Sequence, residues 1–126
     1  MEPHAFRAAV ERADLDAAVA LLADDVVFRS PAVFKPYEGR EAVATILRTV
    51  FGVFEDFRYV AELDGDGATA LVFKARVGDR EVEGIDLVRE NADGLIDDFT
   101  VLIRPLSGLQ ALAQEMGARL GATPPA

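Results

Sequence analysis

The chain has 126 residues, 51% of them hydrophobic and 28% charged, with 13 Lys and Arg against 22 Asp and Glu for a net charge of −9. That length and composition predict one domain, residues 1–126, with enough apolar side chain to build a core. The negative balance opposes binding to nucleic-acid phosphates or anionic membrane, and the absence of cysteine excludes disulfides, thiolate nucleophiles and Cys-based metal sites.

The N-terminal Met-Glu-Pro-His lacks a basic region followed by an apolar run, and no later segment is apolar over a membrane-spanning length, so a cytoplasmic protein is expected. Two short helices are predicted first, His4 to Arg12 and Leu15 to Leu22, the second capped by Asp14 and marked by Leu15, Val19 and Leu22. Val26-Val27-Phe28 has the branched and aromatic bias of a strand, which Ser30-Pro31 ends before a loop through Gly39. From Arg40 to Phe54 the spacing of Val43, Ile46, Leu47, Val50, Phe51 and Phe54 predicts the main core helix.

Four strand-like runs follow, Phe57 to Leu63, Ala68 to Val77, Glu81 to Arg89 and Leu95 to Arg104, joined by short glycine-bearing turns. They predict an antiparallel meander. Pro105 then introduces a last helix, Leu106 to Leu120, and residues 121–126 are expected to form a disordered tail. Helices before a meander predict an α+β fold in which a curved antiparallel sheet packs on the N-terminal helices and encloses a cone, with the C-terminal helix beside it. A ligand would enter the mouth of that cone.

Alternation in Glu81 to Arg89 places Val82, Gly84, Asp86 and Val88 on one face. Asp86 is then an acid on an apolar surface, where a carboxyl must find donors or keep its proton, and such groups are candidates for function. In Leu95 to Arg104 neither face is polar, so a second copy packing on the outer sheet face, a homodimer, is expected. His4, the one imidazole, reads as exposed and inert. Asp24-Asp25, Asp64-Gly65-Asp66 and Asp97-Asp98 have no metal-ligand spacing, and no metal or cofactor is expected.

The segment Ala13-Asp14-Leu15-Asp16-Ala17-Ala18-Val19-Ala20-Leu21-Leu22-Ala23-Asp24-Asp25-Val26-Val27-Phe28 resembles the opening of the nuclear transport factor 2-like superfamily, which includes ketosteroid isomerase, SnoaL-like cyclases and limonene-epoxide hydrolase. Tyr37-Glu38-Gly39-Arg40-Glu41-Ala42 and Glu83-Gly84-Ile85-Asp86-Leu87-Val88 continue the likeness, over about residues 5 to 104. The resemblance implies a cystatin-like cone. Carried over by position, the isomerase's base falls on Ser30, its oxyanion tyrosine on Phe6 and its protonated acid on Asp86, while the epoxide hydrolases' arginine falls on Gly84.

Only the single pocket acid of the cyclases is therefore matched. The expected function is binding of a small hydrophobic molecule by Phe6, Leu22, Ser30, Phe51, Tyr59, Phe73, Asp86, Phe99, Ile103 and Met116. Two alternatives stay open: a cyclase or isomerase with Asp86 as its general acid or base, and an assembly module whose cone is filled by its own side chains.

Overall fold

A computed structural model describes residues 2–121. Helices α1 (Ala5–Glu11) and α2 (Leu15–Ala20) precede strand β1 (Leu22–Arg29), the two-residue strand β2 (Tyr37–Glu38) and the long helix α3 (Arg40–Val53). The meander follows as β3 (Glu55–Gly65), β4 (Ala68–Val77), β5 (Arg80–Glu90) and β6 (Ile96–Arg104), and α4 (Leu106–Leu120) closes the fold. The strands form one curved, unclosed sheet in the order β2-β1-β6-β5-β4-β3, with β1 parallel to β6 and every other pairing antiparallel.

The meander arises locally. At the β3–β4 turn Asp66 and Gly67 both take positive φ, 50° and 73°, the two-residue geometry that matches the twist of a hairpin. From there β4 and β5 pair without interruption from Ala68↔Arg89 to Val77↔Arg80. One face therefore carries Leu71, Phe73, Ala75 and Val77 beside Val82, Asp86 and Val88, all buried. That face packs on α3 through Val43, Ile46 and Leu47, while Leu112 of α4 packs with Ala75, Val77 and Val82.

Among the departures from the sequence expectation, three bear on the packing. The periodicity of Leu15 to Leu22 predicts a helix through Leu22, but α2 ends at Ala20 because the Leu21 carbonyl accepts the Ile96 N–H at 2.8 Å and Leu22 pairs with Ile96. Strand pairing there overrides helical spacing. Tyr37 and Glu38, expected in a loop, pair with Phe28 and Val27. In β6 the register passes from Arg89↔Asp98 to Glu90↔Ile96, so Asp97 is an extra residue that turns Ile96 to the Phe99 face, where it is buried. Simple alternation had set Ile96 opposite Phe99.

His4 is not the exposed, inert residue expected. Its side chain is 12% exposed; Nδ1 accepts the Phe6 N–H at 3.0 Å, capping α1, and Nε2 lies 2.5 Å from Glu90 Oε1. An Nδ1 that accepts leaves the proton on Nε2, which donates to Glu90. The His4 N–H donates to both oxygens of Glu62, so this one residue ties α1 to β3 and β5. Of the tail expected at residues 121–126, Gly121 is the C-cap of α4, its N–H bonded to the Gly117 carbonyl, and the rest lie outside the described residues.

Gly84 fixes the packing two residues before Asp86. A Cβ there would stand 2.4 Å from Phe73 Cζ and 2.7 Å from the Leu102 carbonyl oxygen, so hydrogen alone lets the Phe73 ring lie on β5. Gly84→Ala is expected to destabilise the fold by about 1–3 kcal/mol, the usual cost of overpacking, measured as a lower urea midpoint at unchanged slope.

Candidate functional site

Asp86 sits in the middle of β5 with Leu71 on one side and Val101 on the other, both buried. It is itself 5% exposed and is the one buried charged residue among those described. Its donor comes from β3. There the register places Tyr59 opposite Phe73 and Phe73 opposite Gly84, so the Tyr59 phenol reaches diagonally across β4 and donates to Asp86 Oδ2 at 2.9 Å.

Burial favours the neutral acid and pushes the Asp86 carboxyl up to about 7, against the downward pull of the Tyr59 hydrogen bond. Burial, and then the neighbouring Asp86 charge, hold the Tyr59 hydroxyl far above the ordinary phenol range, so Tyr59 stays a donor. No protein group donates to Asp86 Oδ1 among the described residues. Since no buried side-chain oxygen lacks a partner, Oδ1 is the oxygen reached from the adjoining cavity.

Tyr59→Phe removes the only donor to the carboxyl among the described residues. A hydrogen bond to an ionised group contributes about 1.5–3 kcal/mol, and about 1.4 kcal/mol corresponds to one pH unit. The Asp86 titration is therefore expected to move upward by about one to two pH units, observed through its carboxyl carbon resonance.

The cavity beside Asp86 has a volume of about 200 Å³. The sheet supplies its floor, α3 and α4 its walls, and the loop from Ser30 to Val33 its mouth. Apart from Asp86, its polar side chains are the hydroxyls of Ser30 and Tyr37. Ser30 Oγ accepts the Ala32 N–H at 3.0 Å, which folds the mouth loop back on itself. No basic residue lines the cavity, and no group of three or more His, Asp or Glu is placed to hold a metal among the described residues. No described helix is long and apolar enough to cross a membrane.

Of the residues picked out from sequence, Ser30, Phe51, Phe73, Asp86, Ile103 and Met116 line this cavity. Tyr59 stands behind it, reaching it only through Asp86. Phe6, Leu22 and Phe99 do not line it and are corrected to core: all are essentially inaccessible, with Phe6 edge-on to Phe99 at 5.2 Å and Phe99 5.4 Å from Phe28. They fill the core between α1 and the strands β1 and β6. Phe54 and Phe57, not picked out, form the wall with Phe51 and Phe73, ring centroids 4.9–5.6 Å apart along the chain of contacts. The continuation of the α3 stripe from Leu47 through Phe51 to Phe54 was the available signal for the first of them.

A curved, unclosed sheet wrapped on helices, with one buried acid at an apolar cavity, defines a cystatin-like α+β cone. Residues 4–99 match the SnoaL-like domain, and the chain belongs to that family, within the nuclear transport factor 2-like superfamily. It is 50% identical to a steroid delta-isomerase from Pseudomonas aeruginosa, over 90% of this chain and 85% of that one, with a TM-score of 0.86. It is 38% identical to an uncharacterised cystatin-like protein from Silicibacter pomeroyi, over 93% and 83%, with a TM-score of 0.87. A nuclear transport factor 2-like protein of unknown function from Mesorhizobium loti, 17% identical over 79% and 85% with a TM-score of 0.68, shares the fold alone. No curated protein matches the chain.

Proposed function

We propose that this SnoaL-like protein binds a small, mostly apolar molecule in the cavity, its one polar atom held by Asp86. The observation that carries this is a single buried carboxyl, tied down on one oxygen by Tyr59 and open on the other to a cavity otherwise lined by hydrocarbon and two hydroxyls. A volume of about 200 Å³ lies below the roughly 300–1,000 Å³ of pockets for drug-sized ligands. The occupant is therefore of one ring or a short branched chain. Such an open volume also favours binding over a cone filled by its own side chains.

The test uses cyclohexanol as the neutral ligand. Saturable shifts of the Met116 methyl resonance are expected, and Ala113→Trp, which fills the cavity from α4, is expected to remove them. Absence of saturable binding by cyclohexanol and by its amine and ketone counterparts alike, or binding indifferent to that substitution, would overturn the proposal.

A second reading, catalysis, is favoured by the value of about 7 at Asp86 and by the likeness to a steroid delta-isomerase. A carboxyl titrating near neutrality can take a proton from the carbon beside a carbonyl and return it further along the conjugated chain. Ser30 and Phe6 stand where ketosteroid isomerase has its base and oxyanion tyrosine, so one carboxyl would do both transfers. A cavity this small does not enclose four fused rings. The matching substrate is 3-cyclohexen-1-one, its conversion to the conjugated ketone followed in the ultraviolet and lowered at least a hundredfold by Asp86→Asn; no conversion above the uncatalysed rate would remove this reading.

The outer sheet face supports self-association. Across it the register aligns Ala61, Val72, Ile85 and Leu102, and beside them Leu63, Ala70 and Leu87, with Leu63 61% and Leu102 53% exposed. We infer a homodimer through this face, which sedimentation equilibrium tests: Leu102→Arg is expected to convert a dimeric mass to a monomeric one.

A further inference from the structure

Resting on that binding function, we propose that the polar atom Asp86 holds is the nitrogen of a small organic cation, an alkyl- or arylammonium ion seated against the aromatic wall. Six aromatic residues line the cavity, in two groups. Phe51, Phe54, Phe57 and Phe73 touch one another, and Phe28 lies 6.5 Å from Tyr37. Ring faces attract a cation desolvated among them, and their electron-rich surface offers nothing comparable to a neutral hydroxyl or ketone.

The charges agree. Among the described residues Asp86 is the only charged side chain in the lining, with no Lys, Arg or His to compete with an incoming cation there, and the whole chain carries −9. A field of that sign draws cations toward the cleft. Geometry completes the match: Tyr59 holds Oδ2, while Oδ1 has no donor among the described residues, so an ammonium N–H supplies the missing one. A buried carboxylate with a single neutral donor is costly on its own, and a bound cation neutralises it.

The groups facing Asp86 are few. On β3 there is Tyr59; behind Tyr59, Arg7 of α1 lies 6.0 Å from its ring centroid and forms ion pairs with Glu11 and Glu62. Beside Asp86, β4 and β6 present Leu71 and Val101, and the α3 and α4 walls carry no charge. Asp86 is thus the one lining group whose ionisation changes between pH 6 and 8, and the two ligand classes respond to it with opposite sign. An ammonium ion pairs with the carboxylate; a ketone accepts from the protonated acid.

The experiment measures dissociation constants of cyclohexylammonium, cyclohexanol and cyclohexanone, equal in ring size, by titration calorimetry at pH 6 and pH 8. With Asp86 titrating at about 7, cyclohexylammonium is expected to bind about tenfold more tightly at pH 8 than at pH 6, and at pH 8 at least tenfold more tightly than cyclohexanol. Asp86→Asn is expected to abolish both the rise of the amine's affinity with pH and its preference over cyclohexanol. If the neutral molecules bind as tightly as the amine, or the amine's affinity does not rise with pH, the cation assignment is overturned and the binding function stands. If none of the three binds, the binding function falls with it.

Discussion

Asp86→Asn is expected to make the protein more stable above pH 7 than the parent, by at most about 4 kcal/mol, and to leave it little changed in acid. The Asp86 carboxyl titrates at about 7 in the folded chain against an ordinary 3.8, so between those values the native state holds a proton that the unfolded state has released. Stability from this group is complete below about pH 4 and is lost as pH rises through 7. About three pH units at about 1.4 kcal/mol each give the bound; access of water from the cavity reduces it.

Asparagine has the shape of the neutral acid, accepts the Tyr59 hydrogen bond and does not titrate. Every other ionisable group, and the repulsion among the charges that make up −9, changes with pH equally in both proteins and cancels in the difference. Urea unfolding at pH 5.5 and pH 8, both above the isoelectric point of about 4.5, is the check. The stability gap should widen by about 2 kcal/mol between them, and parallel pH curves would show that Asp86 is not desolvated.

Phe73→Ala is expected to cost about 3–5 kcal/mol, a fifth or more of the stability of an ordinary small domain. Phe73 is 1% exposed, stacks on Phe57 at 4.9 Å and meets Phe54 and Tyr59 at 5.6 and 6.5 Å. Its removal opens a hole continuous with the cavity it lines, among rigid aromatic neighbours. Because its ring lies over Gly84, the two positions couple. In the Phe73→Ala background, Gly84→Ala should lose the part of its cost due to the ring and keep the part due to the Leu102 carbonyl, 2.7 Å from the added methyl. Additive effects in the double-mutant cycle would contradict this packing.

These contrasts also explain which features were legible in the amino-acid order. The burial of Asp86 was, because β5 pairs with β4 over its whole length without a bulge and period-two alternation holds throughout. The face of Ile96 was not, because the extra residue Asp97 arises in the register of β6 against β5, which local spacing does not encode. Tyr59 as the donor to Asp86 was equally hidden. β3 has register shifts on both sides of Arg58-Tyr59, so which of its side chains face inward depends on β4 rather than on spacing.

The apolar residues Phe6, Leu22 and Phe99 illustrate a different gap. Their hydrophobicity announced burial, but whether a buried side chain fills the core or lines a void depends on where α3 and α4 stand off the sheet, which periodicity does not encode. His4 was misjudged for a related reason. Its partners Glu62 and Glu90 lie 58 and 86 residues away, and only the assembled sheet brings them to one place.

The state of the Asp86 carboxyl underlies binding, the catalytic alternative and the cation preference alike. Its carboxyl carbon chemical shift, followed by NMR from pH 5 to pH 9 in the unliganded protein, measures that state directly. A single step near pH 7 is the predicted result. A carboxyl already ionised at pH 5, titrating in the ordinary range near 4, would contradict it.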